Sequence, residues 1–213
     1  SRKYIFASLE QSLKRMRLRD VGLVDRQRAA PNTPLEETLQ ALVDIVRQGK
    51  ALYIGISRWP LEALRVAHDY LKAHDVPMLI YQGRINLLDR EPINEGILDY
   101  CQRQGIGFIS FSPLAQGLLT DRYLHGVPDD SRMARNHFLK KERLTPELLN
   151  YLQRLNATAT ERGESLAEMA LSWVLHQQGI TSVLVGASNP EQLQKNLRSV
   201  HAQPFDENIE AIV

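Results

Sequence analysis

The sequence predicts an α/β fold in which parallel strands alternate with crossover helices and form a barrel rather than an open sheet. Three observations carry this. Short runs of Val, Ile and Leu recur between longer amphipathic stretches, each nearly continuous in apolar residues, as a strand covered on both faces must be. Polar residues stand just past the C-terminal end of each run: Asp25 and Gln27, Ser57 and Arg58, Gln82 and Asn86, Ser112 and Gln116, Ser188 and Asn189. A barrel would gather all of them on one rim, where such folds keep their active sites. Finally, no G-x-G-x-x-G turn follows any strand, which counts against an open dinucleotide-binding sheet.

The elements follow in order. Tyr4 to Arg17 reads as a helix, with Ile5, Leu9, Leu13 and Met16 at helical spacing. Strands are expected at Val21–Val24, Leu52–Ile56, Met78–Tyr81, Gly107–Phe111 and Ser182–Val185. Between them, Thr33-Pro34-Leu35-Glu36 predicts an N-cap, a first-turn proline and a capping-box glutamate for a helix running to Gln48 and stopping at Gly49. Pro60 to Ala73 is the next helix, followed by Asn94 to Gln104, which ends at Gly105. Ser165 with Glu168 caps another that ends near Gly179, and Asn189-Pro190-Glu191-Gln192 opens the last. The stretch from Gln116 to Thr145 is rich in Asp, Arg, Gly and Pro and too long for an ordinary connection, so it reads as a loop over the rim or as disorder.

Composition narrows the function classes. With 43% hydrophobic and 24% charged residues the chain is ordinary for a folded domain, and its 213 residues fit one large domain better than two small ones. A net charge of +1 gives no field that would draw it to nucleic acid or anionic lipid. No apolar run approaches the length of a membrane span, and no secretory leader is visible. The lone Cys101 excludes an internal disulfide and points to a reducing, cytoplasmic compartment. It reads as a buried small apolar residue, since no His or second Cys stands near it to activate the thiol. The six histidines (His68, His74, His125, His137, His176 and His201) have no metal-ligand spacing and read as surface or helix residues. Homo-oligomerisation is left open by the sequence.

The run Ser182 to Asn196 carries the most chemistry. A buried strand leads into a small flexible turn and then a sharply capped helix, whose free N–H groups and dipole form an anion site. Gly186 and Ala187 leave room for close approach, Ser188 offers a hydroxyl, and Lys195 stands one turn on. A structural helix with a good cap would carry the same residues.

The run Gly186-Ala-Ser-Asn-Pro-Glu-Gln-Leu-Gln-Lys-Asn196 resembles the cofactor-clamping end of the aldo-keto reductases. The likeness is closest to the branch of bacterial L-glyceraldehyde 3-phosphate reductases and voltage-gated potassium-channel β subunits. Gly55-Ile-Ser-Arg-Trp59, Ser112-Pro-Leu-Ala-Gln-Gly117 and Pro31-Asn-Thr-Pro-Leu-Glu-Glu37 match in the same order, so essentially the whole chain is covered. The resemblance implies an oxidoreductase that uses NADPH (NADP when oxidised) on a small carbonyl substrate. It also implies that residues 1–213 form a single domain, the C-terminal portion of an incomplete (β/α)8 TIM barrel holding its fourth to eighth strands. By the same likeness Ser57, Arg58 and Gln82 hold the nicotinamide carboxamide and Phe111 stacks on the nicotinamide ring. Ser112, Pro113, Leu114, Ala115 and Gln116 wrap the pyrophosphate, and Arg122 and Arg132 bring cations to the cofactor. Gly186, Ser188, Gln192, Lys195 and Asn196 hold the adenosine 2′-phosphate and adenine.

The chain also departs from the pattern. The family's reaction is hydride transfer with a tyrosine delivering the proton, tuned by a lysine and an aspartate. A histidine after the fourth strand orients the carbonyl. The tyrosine, lysine and aspartate are expected upstream of Ser1, in a missing N-terminal part. Gln27 stands at the histidine position; it can donate to a carbonyl oxygen but cannot become an imidazolium. Asp25 and Arg26 are unexpected at a barrel-strand end, and Gly22 weakens the strand. Two functional readings follow. The first is NADPH-dependent reduction of aldehydes or ketones, possibly glyceraldehyde 3-phosphate, by the full-length parent, with this chain alone inactive. The second is a catalytically inactive truncated reductase or nucleotide-binding subunit of a protein complex.

Overall fold

The computed structural model describes residues 1–27, 33–129, 131, 133–134 and 139–205. It divides into two compact units, one of Ser1–Gly83 with Ile93–Ile109 and one of Arg84–Pro92 with Ser110–Val213. The elements alternate as expected: α1 (Arg2–Met16), β1 (Val21–Arg26), α2 (Leu35–Arg47), β2 (Ala51–Ser57), α3 (Leu61–Ala73), β3 (Met78–Arg84), α4 (Glu91–Asn94), α5 (Ile97–Gln104), β4 (Gly107–Phe111), α6 (Pro146–Glu161), α7 (Leu166–His176), β5 (Ile180–Val183) and α8 (Pro190–Leu197). The strands form one parallel sheet in the order β1-β2-β3-β4-β5, so each neighbour in sequence is a neighbour in space.

In the first unit, α1 buries Ile5, Leu9 and Leu13 of the predicted stripe, while Met16, in its last turn, is exposed. Leu39, Leu42 and Ile45 of α2 are wholly buried, as are Ile54 and Ile56 of β2. Each such side chain contributes roughly 1.5–3 kcal/mol by leaving water. β1 pairs with β2 from Val21↔Ala51 to Arg26↔Ile56, and β2 with β3 through Ser57↔Gln82. Gly83 is required by packing: a Cβ there would stand 2.5 Å from Cζ of Phe108, whose ring fills the same space. Cys101 is buried, and burial pushes its thiol up to about 12, so it is an unreactive core residue.

Several boundaries differ from the sequence reading. β1, β2 and β3 run on to Arg26, Ser57 and Arg84, so Asp25, Ser57 and Gln82 lie inside the C-terminal ends of the strands rather than past them. Thr33 does not cap α2; Pro34 takes the N-cap place with φ −51° and ψ 135°, and no side chain bonds the helix start. The extended ψ of Pro34 starts the helix at Leu35 and leaves Thr33 too far back. The helix expected over Asn94–Gln104 is split, because Gly96 adopts φ 74° between α4 and α5. The last strand lies two residues early: β5 stops at Val183, and Leu184 and Val185 are exposed.

The second unit contains a helix the sequence reading left unnamed, α6, capped by the Thr145 hydroxyl accepting from Leu148 N–H at 3.2 Å. α7 starts on the predicted capping box, with Ser165 Oγ and the Glu168 carboxylate each satisfying the other's backbone N–H. Seven of its eleven residues are buried, so α7 supplies this unit's core. Arg162, at the end of α6, holds the segment 203–205: its guanidinium donates to the carbonyls of Gln203 (2.6 Å) and Pro204 (3.2 Å) and lies 4.4 Å from the Phe205 ring centroid. Among the described residues, no helix is long and apolar enough to cross a membrane.

Candidate functional site

A cleft of about 370 Å³ opens in the second unit between two segments far apart in sequence. One wall is Ser112, Pro113, Leu114, Gln116 and Gly117, with Thr120, Arg122 and Tyr123 behind; the other is Leu184 to Ser188 and Gln192. Both walls are strand-end loops.

The first wall is a backbone in tension. Ser112 (φ 53°), Ala115 (φ 47°) and Gln116 (φ 62°) all sit in the left-handed region although none is glycine. Each such residue costs on the order of 1 kcal/mol or more and persists only where neighbours hold it. The restraints are local: Ala115 N–H to Ser112 O at 2.9 Å, Gly117 N–H to Leu114 O at 2.8 Å, and Thr120 Oγ to Gly117 O at 2.7 Å. The Ala115 and Gly117 N–H groups are spent on these turn bonds, which hold the loop in its curved shape.

The second wall runs from β5 to α8. Leu184 N–H donates to Ser110 O at 2.8 Å, which fixes where the segment leaves the sheet. Asn189 is the predicted N-cap, its Oδ1 accepting from Gln192 N–H at 2.8 Å, with Pro190 in the first turn. The Gln192 side chain folds back so that its Oε1 accepts from Ser188 N–H at 2.7 Å. A Cβ added at Gly186 would meet nothing within 4 Å, so the surface there is open to a ligand. The cleft therefore has a strained loop on one side and a helix N-terminus on the other.

Of the site residues predicted from sequence, Ser112, Pro113, Leu114, Gln116, Arg122, Gly186, Ser188 and Gln192 line this one cleft. Ala115 is buried beneath the loop. Phe111 ends β4 with the Arg84 guanidinium 5.8 Å from its ring centroid. Lys195 and Asn196 lie further along α8; Lys195 is exposed, while Asn196 is 3% exposed and its Nδ2 has no hydrogen-bond partner among the described residues. Arg132 lies outside the described residues. In the first unit, Ser57 is buried and registers opposite Gln82, whose carbonyl accepts from Arg58 N–H at 3.1 Å, with Arg58 at φ 60°. Gln27 is exposed just past β1. Among the described residues, no group of three or more His, Cys, Asp or Glu could hold a metal ion.

Sequence reasoning missed Thr120 and Tyr123 in the wall, and it read Asn86 only as a polar strand-end residue. Thr120 did carry a signal, since its hydroxyl accepts from Arg122 N–H at 3.3 Å in a Thr-Asp-Arg turn. Asn86 is wholly buried, and its amide donates to Ser112 O at 3.0 Å and to Asp89 Oδ2 at 3.0 Å.

A parallel sheet with crossover helices, and a two-walled cleft where two of its strands end, define an α/β protein with one candidate ligand site there. The chain belongs to the aldo/keto reductase family, whose model matches residues 1–213. It is 48% identical over 209 residues to an L-glyceraldehyde 3-phosphate reductase of Escherichia coli O157:H7, and 47% identical to that of Escherichia coli strain K12. Each match covers 96% of this chain and 60% of the relative, so the chain spans about 60% of the length of these relatives. Among solved structures, a thermostable aldo-keto reductase in complex with the inhibitor epalrestat superposes with a TM-score of 0.75 at 26% identity. That match covers 99% of this chain and 65% of the other.

Proposed function

We propose that this chain forms the nucleotide-binding part of an NADPH-dependent reductase of aldehydes and ketones, with glyceraldehyde 3-phosphate or a similar small aldehyde as substrate. The 213 residues are read as a single domain, the C-terminal portion of a (β/α)8 barrel, with β1 to β5 as its later strands. One observation carries the reading: the two segments matched to the family's pyrophosphate and adenosine 2′-phosphate sites, unlike in sequence, face each other across one cleft.

The residues fit such a cofactor. The curved Ser112–Gly117 loop and the positive dipole end of α8 suit a phosphate, and the open surface at Gly186 allows close approach. Arg122 and Lys195 supply cations, and the unpartnered Nδ2 of buried Asn196 is a donor suited to a ring nitrogen of adenine. Ser57, Arg58 and Gln82 are assigned to the carboxamide, Phe111 to the nicotinamide face, and Arg132 to the phosphates. When bound, the dihydronicotinamide supplies the hydride. Gln27 is assigned to the carbonyl oxygen, where its amide donates a hydrogen bond without providing the charge of an imidazolium. The glyceraldehyde 3-phosphate assignment is supported by the names of the Escherichia coli relatives.

Titrating NADPH against the protein while following emission from Trp59 and Trp173 tests the reading. Saturable quenching with a Kd near ~1 µM, equivalent to about 8 kcal/mol, is expected. NADH, lacking the 2′-phosphate, should bind about tenfold more weakly, a gap that shrinks in Lys195→Ala. No response to either nucleotide would refute the assignment.

A further inference from the structure

We propose that Asn86 is a positioning residue for the nucleotide cleft: its buried amide holds Ser112 in the left-handed conformation from which the cleft's first wall is built. The inference rests on the reading of that wall as a pyrophosphate loop.

Every polar position of the Asn86 side chain is used. Oδ1 accepts from the N–H groups of Leu88 and Asp89, both at 2.9 Å, closing a tight turn just after β3. Nδ2 gives one hydrogen to Asp89 Oδ2 and the other to Ser112 O, both at 3.0 Å. The backbone reinforces the turn, with Asn86 N–H to Asp89 O at 3.0 Å and Asp89 N–H to Asn86 O at 3.2 Å. The carboxylate of Asp89 is itself steadied by Arg84 at 3.8 Å and Arg143 at 3.5 Å. Asn86 therefore cannot rotate without abandoning four bonds in a site closed to water.

The bond to Ser112 O falls on the first left-handed residue of the loop. That carbonyl also accepts from Ala115 N–H at 2.9 Å, so it is the hinge on which Ser112, Ala115 and Gln116 turn. A serine at φ 53° returns to an ordinary conformation unless its carbonyl is held. The nearby Ser110 hydroxyl, also wholly buried, donates to Ile85 O at 2.9 Å and joins the same two chain segments without touching Ser112. One bond fastens the strand end; the other sets the loop.

The test compares Asn86→Ala, Asn86→Asp and Ser110→Ala in the full protein. Asn86→Asp keeps the acceptor half of the turn and removes the amide hydrogen that reaches Ser112. Kd is measured for NADPH and for adenosine 2′,5′-bisphosphate, which lacks the pyrophosphate, alongside thermal midpoints. The expected result is an NADPH Kd raised about tenfold in both Asn86 variants. The bisphosphate Kd should stay within about twofold of the parent, and Ser110→Ala should lower the midpoint while leaving both constants unchanged. Asn86 variants that bind NADPH like the parent, or that weaken both ligands equally, would overturn the positioning role while leaving the cleft reading intact. A parent protein that binds neither ligand would overturn both.

Discussion

The Gln192 side chain and the Ser188 backbone are joined by a 2.7 Å hydrogen bond in which the amide oxygen accepts. The bond draws the turn after β5 onto the first turn of α8 and shapes one wall of the cleft. Gln192→Ala frees the turn and is expected to weaken NADPH about tenfold with little change in melting, because the site is exposed. Gln192→Glu separates the two effects. The carboxylate still accepts from Ser188 and favours the positive end of the helix dipole, so stability should hold or rise. Its charge opposes a phosphate, so affinity should fall below that of Gln192→Ala. Paired melting curves and titrations check the opposite signs.

Gly186 is a position where added bulk meets solvent rather than protein, since a Cβ there has nothing within 4 Å. Gly186→Ala is therefore expected to leave the melting midpoint unchanged or raise it slightly through the less flexible unfolded chain, by about 0.4–1 kcal/mol. Gly186→Val should occupy the surface a ligand needs and cost NADPH affinity. A valine variant that binds like the parent would show that the cofactor does not pass this residue.

Most of the scaffold was legible in the residues. Apolar runs marked the first four strands, and the signals at Ser165/Glu168 and Asn189-Pro190 fixed two helix starts, because each is a local bond between near neighbours. Both walls of the cleft were legible through their motifs. Their conformation was not. Ser112, Ala115 and Gln116 carry no signal for a positive φ, and beside the local turn bonds the Ser112 carbonyl accepts from Asn86, twenty-six positions earlier in the chain. The two-residue displacement of β5 has the same origin. Residues 180–185 are all acceptable in a strand, and the bond from Leu184 N–H to Ser110 O marks where the chain leaves the sheet.

Arg162 concentrates several bonds in one nearly buried side chain, with 7% of its surface exposed. It pairs with Glu164 through two contacts of 3.1 and 3.2 Å and holds the carbonyls of Gln203 and Pro204. Arg162→Ala removes all of these and leaves the Glu164 carboxylate, 11% exposed, without its cation. A loss of about 3 kcal/mol is expected, read as a lower denaturant midpoint. Arg162→Lys restores charge without the planar fork and should recover only part of it. Nucleotide affinity, measured where the variant is folded, should not change.

Asp25 supplies a pH-dependent term in stability. Its carboxyl lies against β2, with Oδ1 3.5 Å from where a Gly55 Cβ would stand, and it lines a small cavity of about 180 Å³ with Tyr4, Ser8, Ser12 and Arg26. The residue as a whole is exposed, but partial desolvation of its carboxyl against β2 raises its pKa above the ordinary 3.8. An acid whose folded pKa is raised favours the folded state when protonated, so its contribution is fully present below the unfolded value. That contribution is lost as pH climbs through the folded one. Asp25→Asn, which mimics the protonated form, should therefore raise the melting midpoint at pH 7, with the gain fading toward pH 3.5. Melting curves across that range decide it. A gain of equal size at both ends would mean that shape rather than charge governs the position, and a loss at pH 7 would mean that the carboxylate makes a favourable interaction there.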